Sequence, residues 1–326
     1  MENTIKKPIN NDFNLDVKKE EKRSKVVKIT TKTITYIFLT IVAITAFLPF
    51  YWMIISSLKN ETEFRASVPT FFPQTGIAWQ NYQIVVTADD SLFITTLTNT
   101  LLVGILSTGL GVIVTILTAY AFAKLEFKGK NLLFSLMMAT MMIPGELFTI
   151  TNVLTVGRGK DVFQIGSFGI DGFGWNGTYI VLILPFLVSF YYIYLLRNAF
   201  MQIPNSLYQA AKVDGCSEMG YLVKVMVPLT APTLISITLL KLIGTWNSYI
   251  WPRLVNKTDE RMLLISNWVT NGFEDINHLV NPAAVSGSLS TLKMAAACMV
   301  TLPLFVLFIC FRKYIMQGVS KSGTKG

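Results

Sequence analysis

Residues 33–58 read TITYIFLTIVAITAFLPFYWMIISSL, a run with no charged side chain between Lys32 and Lys59. About 20 apolar residues cross a hydrocarbon core of about 30 Å as a helix, because each residue rises about 1.5 Å. The run exceeds that length, is too long for a signal-peptide core and shows no clear small-residue cleavage site. It therefore predicts a retained first span. Five further stretches, at about 93–122, 131–154, 178–200, 230–251 and 294–315, have the same character. The 326 residues are 52% hydrophobic and 14% charged, with a mean hydropathy of +0.50, whereas a soluble domain carries about a quarter charged residues. The reading is an all-α polytopic membrane protein with six transmembrane helices. Two spans depart from a plain lipid-facing helix. The third holds Ile143-Pro144-Gly145-Glu146 and the fifth holds Lys241.

Charge orients the chain. With the N-terminus in the cytoplasm, nineteen Lys and Arg fall inside and eight outside, a clear positive-inside bias that puts both termini in the cytoplasm. The expected organisation is a polar cytoplasmic tail at 1–32, disordered or lying on the surface, and a first transmembrane helix at 33–58. An extracytoplasmic loop at 59–92 follows, then a transmembrane core at 93–316 that includes a cytoplasmic loop at 201–229, and a cytoplasmic tail at 317–326. The net charge of +9 is dispersed over loops and tails without aromatic interleaving, which argues against nucleic-acid binding. Cys216, Cys298 and Cys310 lack metal-ligand spacing, and His278 is the only histidine, so neither a metal centre nor a disulfide is expected. An intramembrane enzyme finds no support, since the chain has neither a G-x-S-x-G elbow nor H-E-x-x-H.

The cytoplasmic loop lies within residues 197–232, RNAFMQIPNSLYQAAKVDGCSEMGYLVKVMVPLTAP. Pro204 breaks from the fourth span, and Asn205 or Ser206 caps a new short helix. Leu207, Ala210, Ala211 and Asp214 follow the i, i+3, i+4, i+7 rule, with two small residues at the centre of the face. Gly215 is free to take a positive φ and end the helix, and Ser217 is placed to cap the next one before Pro228. On pattern alone this is either a small-residue docking knob or an ordinary helix–turn–helix between two spans.

The same residues resemble the EAA loop of the membrane subunits of bacterial binding-protein-dependent ABC importers. Gln209-Ala210-Ala211, Gly215 and Val227-Pro228 stand at that motif's spacing. The resemblance implies a coupling helix that docks in a groove of a cytoplasmic ATPase, with Gln209, Ala210, Ala211, Asp214, Gly215 and Pro228 as the contact site. Gln209 replaces the family's glutamate, so a neutral contact stands where a stronger charge-assisted one is usual. The stretches TFFPQTGIAWQNYQIV, LTNTLLVG, AYAFAKLEFKGKNLLF, MMIPGE and GTWNSYIWP are similar to those of the maltose-type (carbohydrate uptake class 1) permeases, from about residue 71 to 313. The glycine-rich stretch 157–177 is longer than is usual there.

That resemblance implies the type I ABC importer permease fold and ATP-driven, binding-protein-dependent uptake of a sugar or oligosaccharide across the bacterial inner membrane. The implied partners are a homologous second permease subunit, an extracytoplasmic solute-binding protein and two cytoplasmic ATPase subunits that bind ATP and Mg. No cofactor is expected in this chain. Consistently, neither Gly129-Lys130-Asn131 nor Gly159-Lys160-Asp161 sits in a G-x-x-x-x-G-K-[ST] frame. Amino-acid or peptide cargo is the alternative within this class. An ion-coupled transporter is the alternative outside it, with Glu146 and Lys241 as its intramembrane charges. In the importer reading those two residues either pair with each other or with backbone, or they line the substrate pathway. Trp246, Asn247, Tyr249 and Trp251 form either an interfacial aromatic belt or part of that pathway. Asn247, costly against lipid, is expected to face inward.

Overall fold

The structure is a computed structural model that describes residues 11–87, 92–157, 163–165, 168–170, 173–256, 260–271 and 290–320. Three helices are long and apolar enough to span a bilayer. They are α1 (Asn11–Ser57), α4 (Phe93–Lys124) and α15 (Ser290–Ser320). Between α1 and α4 lie the short helices α2 (Glu61–Phe64) and α3 (Gln80–Thr87). Helix α1 begins at Asn11, well inside the segment read as a tail. Residues 18–25, KKEEKRSK, are mostly good helix formers, and an existing helix extends without a new nucleus.

Among the described residues, the expected spans are not all single straight helices. The expected span at 131–154 is split into α5 (Lys130–Thr140) and α6 (Gly145–Val156). Pro144 lies between them with ψ 132°. It lacks the N–H that would continue α5, and it disfavours helical geometry at Ile143. Two further spans are bent rather than straight. Helix α7 (Tyr179–Ile183) tightens into a 3₁₀ turn at Leu184–Phe186, and α8 (Phe190–Met201) leaves at 43°. Helix α9 (Asn205–Val213) is followed by α10 (Glu218–Tyr221), a π-turn at Leu222–Met226 and α11 (Val227–Leu229). That assembly meets α12 (Ala231–Trp246) at 82°. Helices α13 (Ile250–Val255) and α14 (Ile265–Asn271) complete the outer end. The glycine-rich outer loop contains a small antiparallel hairpin, β1 (Phe163–Ile165) and β2 (Phe168–Ile170), with Gln164 opposite Gly169.

Helix α4 is the centre of the packing, with α8 and α12 against it. The middle of its buried stripe is mostly small or hydroxylic, with Thr96, Thr100, Gly104, Ser107, Gly111, Thr115 and Ala119, and the large rings Phe93, Tyr120 and Phe122 are buried at its two ends. Ile94, Leu101, Ile105, Ile113 and Leu117 face outward. This inverts the soluble pattern. Lipid is as apolar as leucine, so close backbone approach by small residues gives helix association its energy. Thr100 and Thr115 hydroxyls donate to the carbonyls of Thr96 and Gly111, each at 2.7 Å, which satisfies them within the helix.

The end of the bundle that carries α13 and α14 is held by polar side chains. The Asn99 amide donates to the Arg261 and Leu263 carbonyls at 2.6 and 3.2 Å and accepts from the Tyr179 hydroxyl at 2.7 Å. Thr100 accepts from the Ile265 backbone N–H at 2.8 Å. The Asn-Thr pair in LTNTLLVG thus fastens the segment leading into α14 onto α4. Asn99→Leu is expected to leave buried acceptors without a donor, at about 1–3 kcal/mol each. Limited proteolysis in detergent should then cut residues 260–271 first, and unchanged resistance there would refute the assignment. In the first outer loop, Glu63 is pushed up by burial. Hydrogen bonds from Thr75, the Gln74 N–H and Thr70 outweigh that and hold its carboxyl at about 2. The Glu61 carboxylate accepts from the N–H and hydroxyl of Thr291, which joins this loop to the start of α15.

Candidate functional site

The loop at 201–229 is built on the core cluster of Ala119, Tyr120, Leu196, Phe200, Tyr221, Leu222 and Met226. Pro204 starts α9, and the Lys124 ammonium donates to the Ile203 carbonyl at 3.3 Å and the Asn205 side chain at 3.0 Å. Helix α9 ends in a Schellman motif. The Cys216 N–H bonds the Ala211 carbonyl at 2.8 Å, and the Gly215 N–H bonds the Lys212 carbonyl at 3.1 Å. Gly215 sits at φ +72°, where a residue with a Cβ is strained. Ser217 then caps α10 by accepting from the Gly220 N–H at 3.1 Å. The Val227 N–H reaches the Leu222 carbonyl five residues back, and Pro228, which has no N–H, follows.

Of the residues singled out here, Gln209, Ala210, Asp214, Gly215 and Pro228 are exposed. Ala211 is not part of that outward surface. It is half-buried and packs on the cluster beside Tyr208 and Cys216. The outward face of α9 is instead Gln209, Ala210 and Val213, the last 89% exposed. An apolar side chain so fully exposed beside an alanine offers a shallow surface for another protein.

A cavity of about 370 Å³ lies between the bend of α7 and α8 and the C-terminal half of α12. Its wall combines hydroxyls (Ser107, Ser189, Thr245, Ser248), aromatic rings (Phe186, Tyr192, Trp251) and Lys241. The buried Lys241 ammonium donates to the Phe186 carbonyl at 3.0 Å and lies 5.3 Å from the Tyr192 ring centre. That carbonyl belongs to the 3₁₀ turn, where the bend disrupts regular helical pairing, so the lysine satisfies backbone that lipid cannot. Gly111 makes room for it. A Cβ at position 111 would lie 2.5 Å from Lys241 Cε and 3.0 Å from the Leu187 carbonyl. Trp251 lies across the cavity and donates to the Val181 carbonyl at 2.9 Å.

The other residues expected on a pathway lie elsewhere. Trp246 is buried in the outer cluster with Phe93, Ile265 and Trp268. Asn247 is exposed at the end of α12, and the Tyr249 ring is half-buried with Arg253 6.0 Å from its centre. The Glu146 side chain and His278 lie outside the described residues. Ser107, Tyr192 and Thr245 were not anticipated. The small-residue stripe on α4 was the available signal for Ser107.

A family model described as "Binding-protein-dependent transport system inner membrane component" matches residues 107–321. The arabinooligosaccharides transport system permease protein AraQ of Halalkalibacterium halodurans is 26% identical over 295 residues, covering 90% of this chain and 95% of its own. The trehalose/maltose transport system permease protein MalG of Thermococcus litoralis is 28% identical over 288 residues, covering 88% and 94%. Among solved structures, a bacterial ABC transporter involved in the import of the acidic polysaccharide alginate aligns with a TM-score of 0.73 at 23% identity, covering 90% of this chain and 97% of that one. That structure has the same fold. The matched region holds nearly all of the cavity wall, the bent spans and the whole loop at 201–229. The chain therefore belongs to the family of binding-protein-dependent transport system inner membrane components, multi-pass proteins of the inner membrane.

Proposed function

We propose that this chain is one membrane subunit of an ATP-driven importer for a sugar or oligosaccharide. It pairs with a second, homologous permease chain, rests on two cytoplasmic ATPase subunits that bind ATP and Mg, and receives its cargo from an extracytoplasmic solute-binding protein. Both termini are cytoplasmic, consistent with the charge distribution. The observation that carries the reading is the exposed face of Gln209, Ala210 and Val213, on a capped helix standing outside the spans. The saccharide relatives AraQ and MalG support the cargo class. The cavity wall suits it, since hydroxyls match sugar hydroxyls and flat rings match the apolar faces of a pyranose. Of the two charges the ion-coupled alternative would use, Lys241 is engaged by the Phe186 carbonyl and the Tyr192 ring.

The test is uptake by vesicles holding the complete complex, with labelled arabino-oligosaccharide, maltose and trehalose presented on the binding protein. Accumulation should require ATP, persist with a protonophore, and fall to background in Ser107→Trp, which fills the cavity. Uptake driven by an ion gradient without ATP would overturn the proposal.

A further inference from the structure

The Glu218 carboxylate gathers donors from two other helices. It accepts from the Tyr120 hydroxyl on α4 and from the Tyr208 hydroxyl on α9 at 2.6 Å, and it pairs with Lys212 of α9 at 2.6 Å. Lys212, Tyr120 and Tyr208 together hold its carboxyl at about 2, so the acceptor is a full carboxylate throughout the physiological range. Tyr120 is buried in the cytoplasmic cluster, and Tyr208 meets Tyr221 edge-on at 5.1 Å. The backbone at Glu218 is set by the Gly215 turn and the Ser217 cap.

The chain itself connects α9 to α8 on one side and, through α10 and the π-turn, to α12 on the other. Helix α4 has no such covalent link to the loop. It nevertheless supplies Ser107 to the cavity wall and Gly111 to the Lys241 contact. Motion arriving at α9 reaches α4 through side chains. Tyr120–Glu218 is a charge-assisted tie, the stronger class of hydrogen bond, and Lys124 adds longer ones, to the Ile203 carbonyl at 3.3 Å and to the Asn205 side chain of α9 at 3.0 Å.

We propose that Glu218 is a positioning residue for energy coupling: it fastens the docking helix α9 to the cytoplasmic end of α4, so that displacement of α9 moves the cavity wall. This rests on the reading of α9 as the ATPase-docking helix. Local connectivity moves α8 and α12, and the Glu218 tie recruits α4.

The experiment uses the complete complex in proteoliposomes, with Tyr120→Phe, Glu218→Gln and, as control, Ala210→Asp. Tyr120→Phe removes one hydroxyl and keeps the ring in its cluster. It is expected to retain the ATPases and their basal hydrolysis while losing about tenfold of the stimulation by loaded binding protein, within the range typical of coupled sites. Glu218→Gln is expected to lose at least as much. A passive structural contact would not separate stimulation from retention in this way. If Ala210→Asp releases the ATPases but both other variants keep full stimulation, the Glu218 tie is refuted and the docking reading stands. Parallel loss of retention and stimulation in Tyr120→Phe also refutes it. If Ala210→Asp retains its ATPases, the docking reading fails and the tie with it.

Discussion

Ala210→Asp is expected to give a membrane-inserted chain that no longer retains its ATPases, with uptake at background. Ala210 is exposed on the outward face of α9, so the change leaves the fold of the free subunit intact. On docking, an uncompensated carboxylate in a desolvated contact costs about 3–5 kcal/mol, two decades or more in affinity. Ala211→Asp is a poorer probe, because that side chain packs on the cytoplasmic cluster and its loss reports folding. Gly215→Val should weaken the same contact by a different route. Its Cβ meets nothing within 4 Å, so the penalty is the left-handed backbone alone, about 1–2 kcal/mol, and Gly215→Asn should be largely tolerated. Co-purification of ATPase with each variant at matched expression is the measurement. Wild-type retention by Ala210→Asp would remove α9 from the interface.

The second large effect is at Gly111. Gly111→Ala drives a methyl group into Lys241 and against the Leu187 carbonyl, and overpacking of this kind costs about 1–3 kcal/mol. Lys241→Met alone leaves the Phe186 carbonyl without its donor, at about 1–3 kcal/mol. The two losses should not add. Once the ammonium no longer has to reach Phe186, the flexible methionine can yield to the methyl, giving a coupling of about 0.5–3 kcal/mol. Thermal unfolding in detergent of the two single variants and the double variant measures it. Strict additivity would mean that glycine and lysine do not share the site.

The features that were readable in the sequence are those set locally. Residues 33–58 and 93–122 form continuous helices because their long uncharged apolar runs favour helix throughout, and the first stays unbroken even across Pro49. The Gly215 turn was readable because Gly, Ser and Pro fix their own backbone geometry. Pro144 and Pro185 announce breaks, but nothing in a linear string says that one splits a span and the other bends it by 43°. What depends on distant partners was not readable. The inward turn of Ala211 is decided by Tyr221 and Cys216, from the helix and turn that follow. The placement of Trp251 at the cavity and of Trp246 in the outer cluster follows from the end of α12 at Trp246 and the restart at Ile250, which destroys any helical phase between them. Gly111 and Lys241 meet across 130 positions, and Tyr120 and Glu218 across 98.

The 82° angle between the segment Glu218–Leu229 and α12 has a geometric consequence. Two rods joined nearly at right angles act as a bell crank: a thrust along the first projects very little onto the axis of the second and appears almost wholly as sideways swing. A thrust along Glu218–Leu229 is thereby delivered as sideways displacement of a helix that walls the cavity. The wide π-turn at Leu222–Met226 lies within the first arm, a few residues before the joint at Thr230.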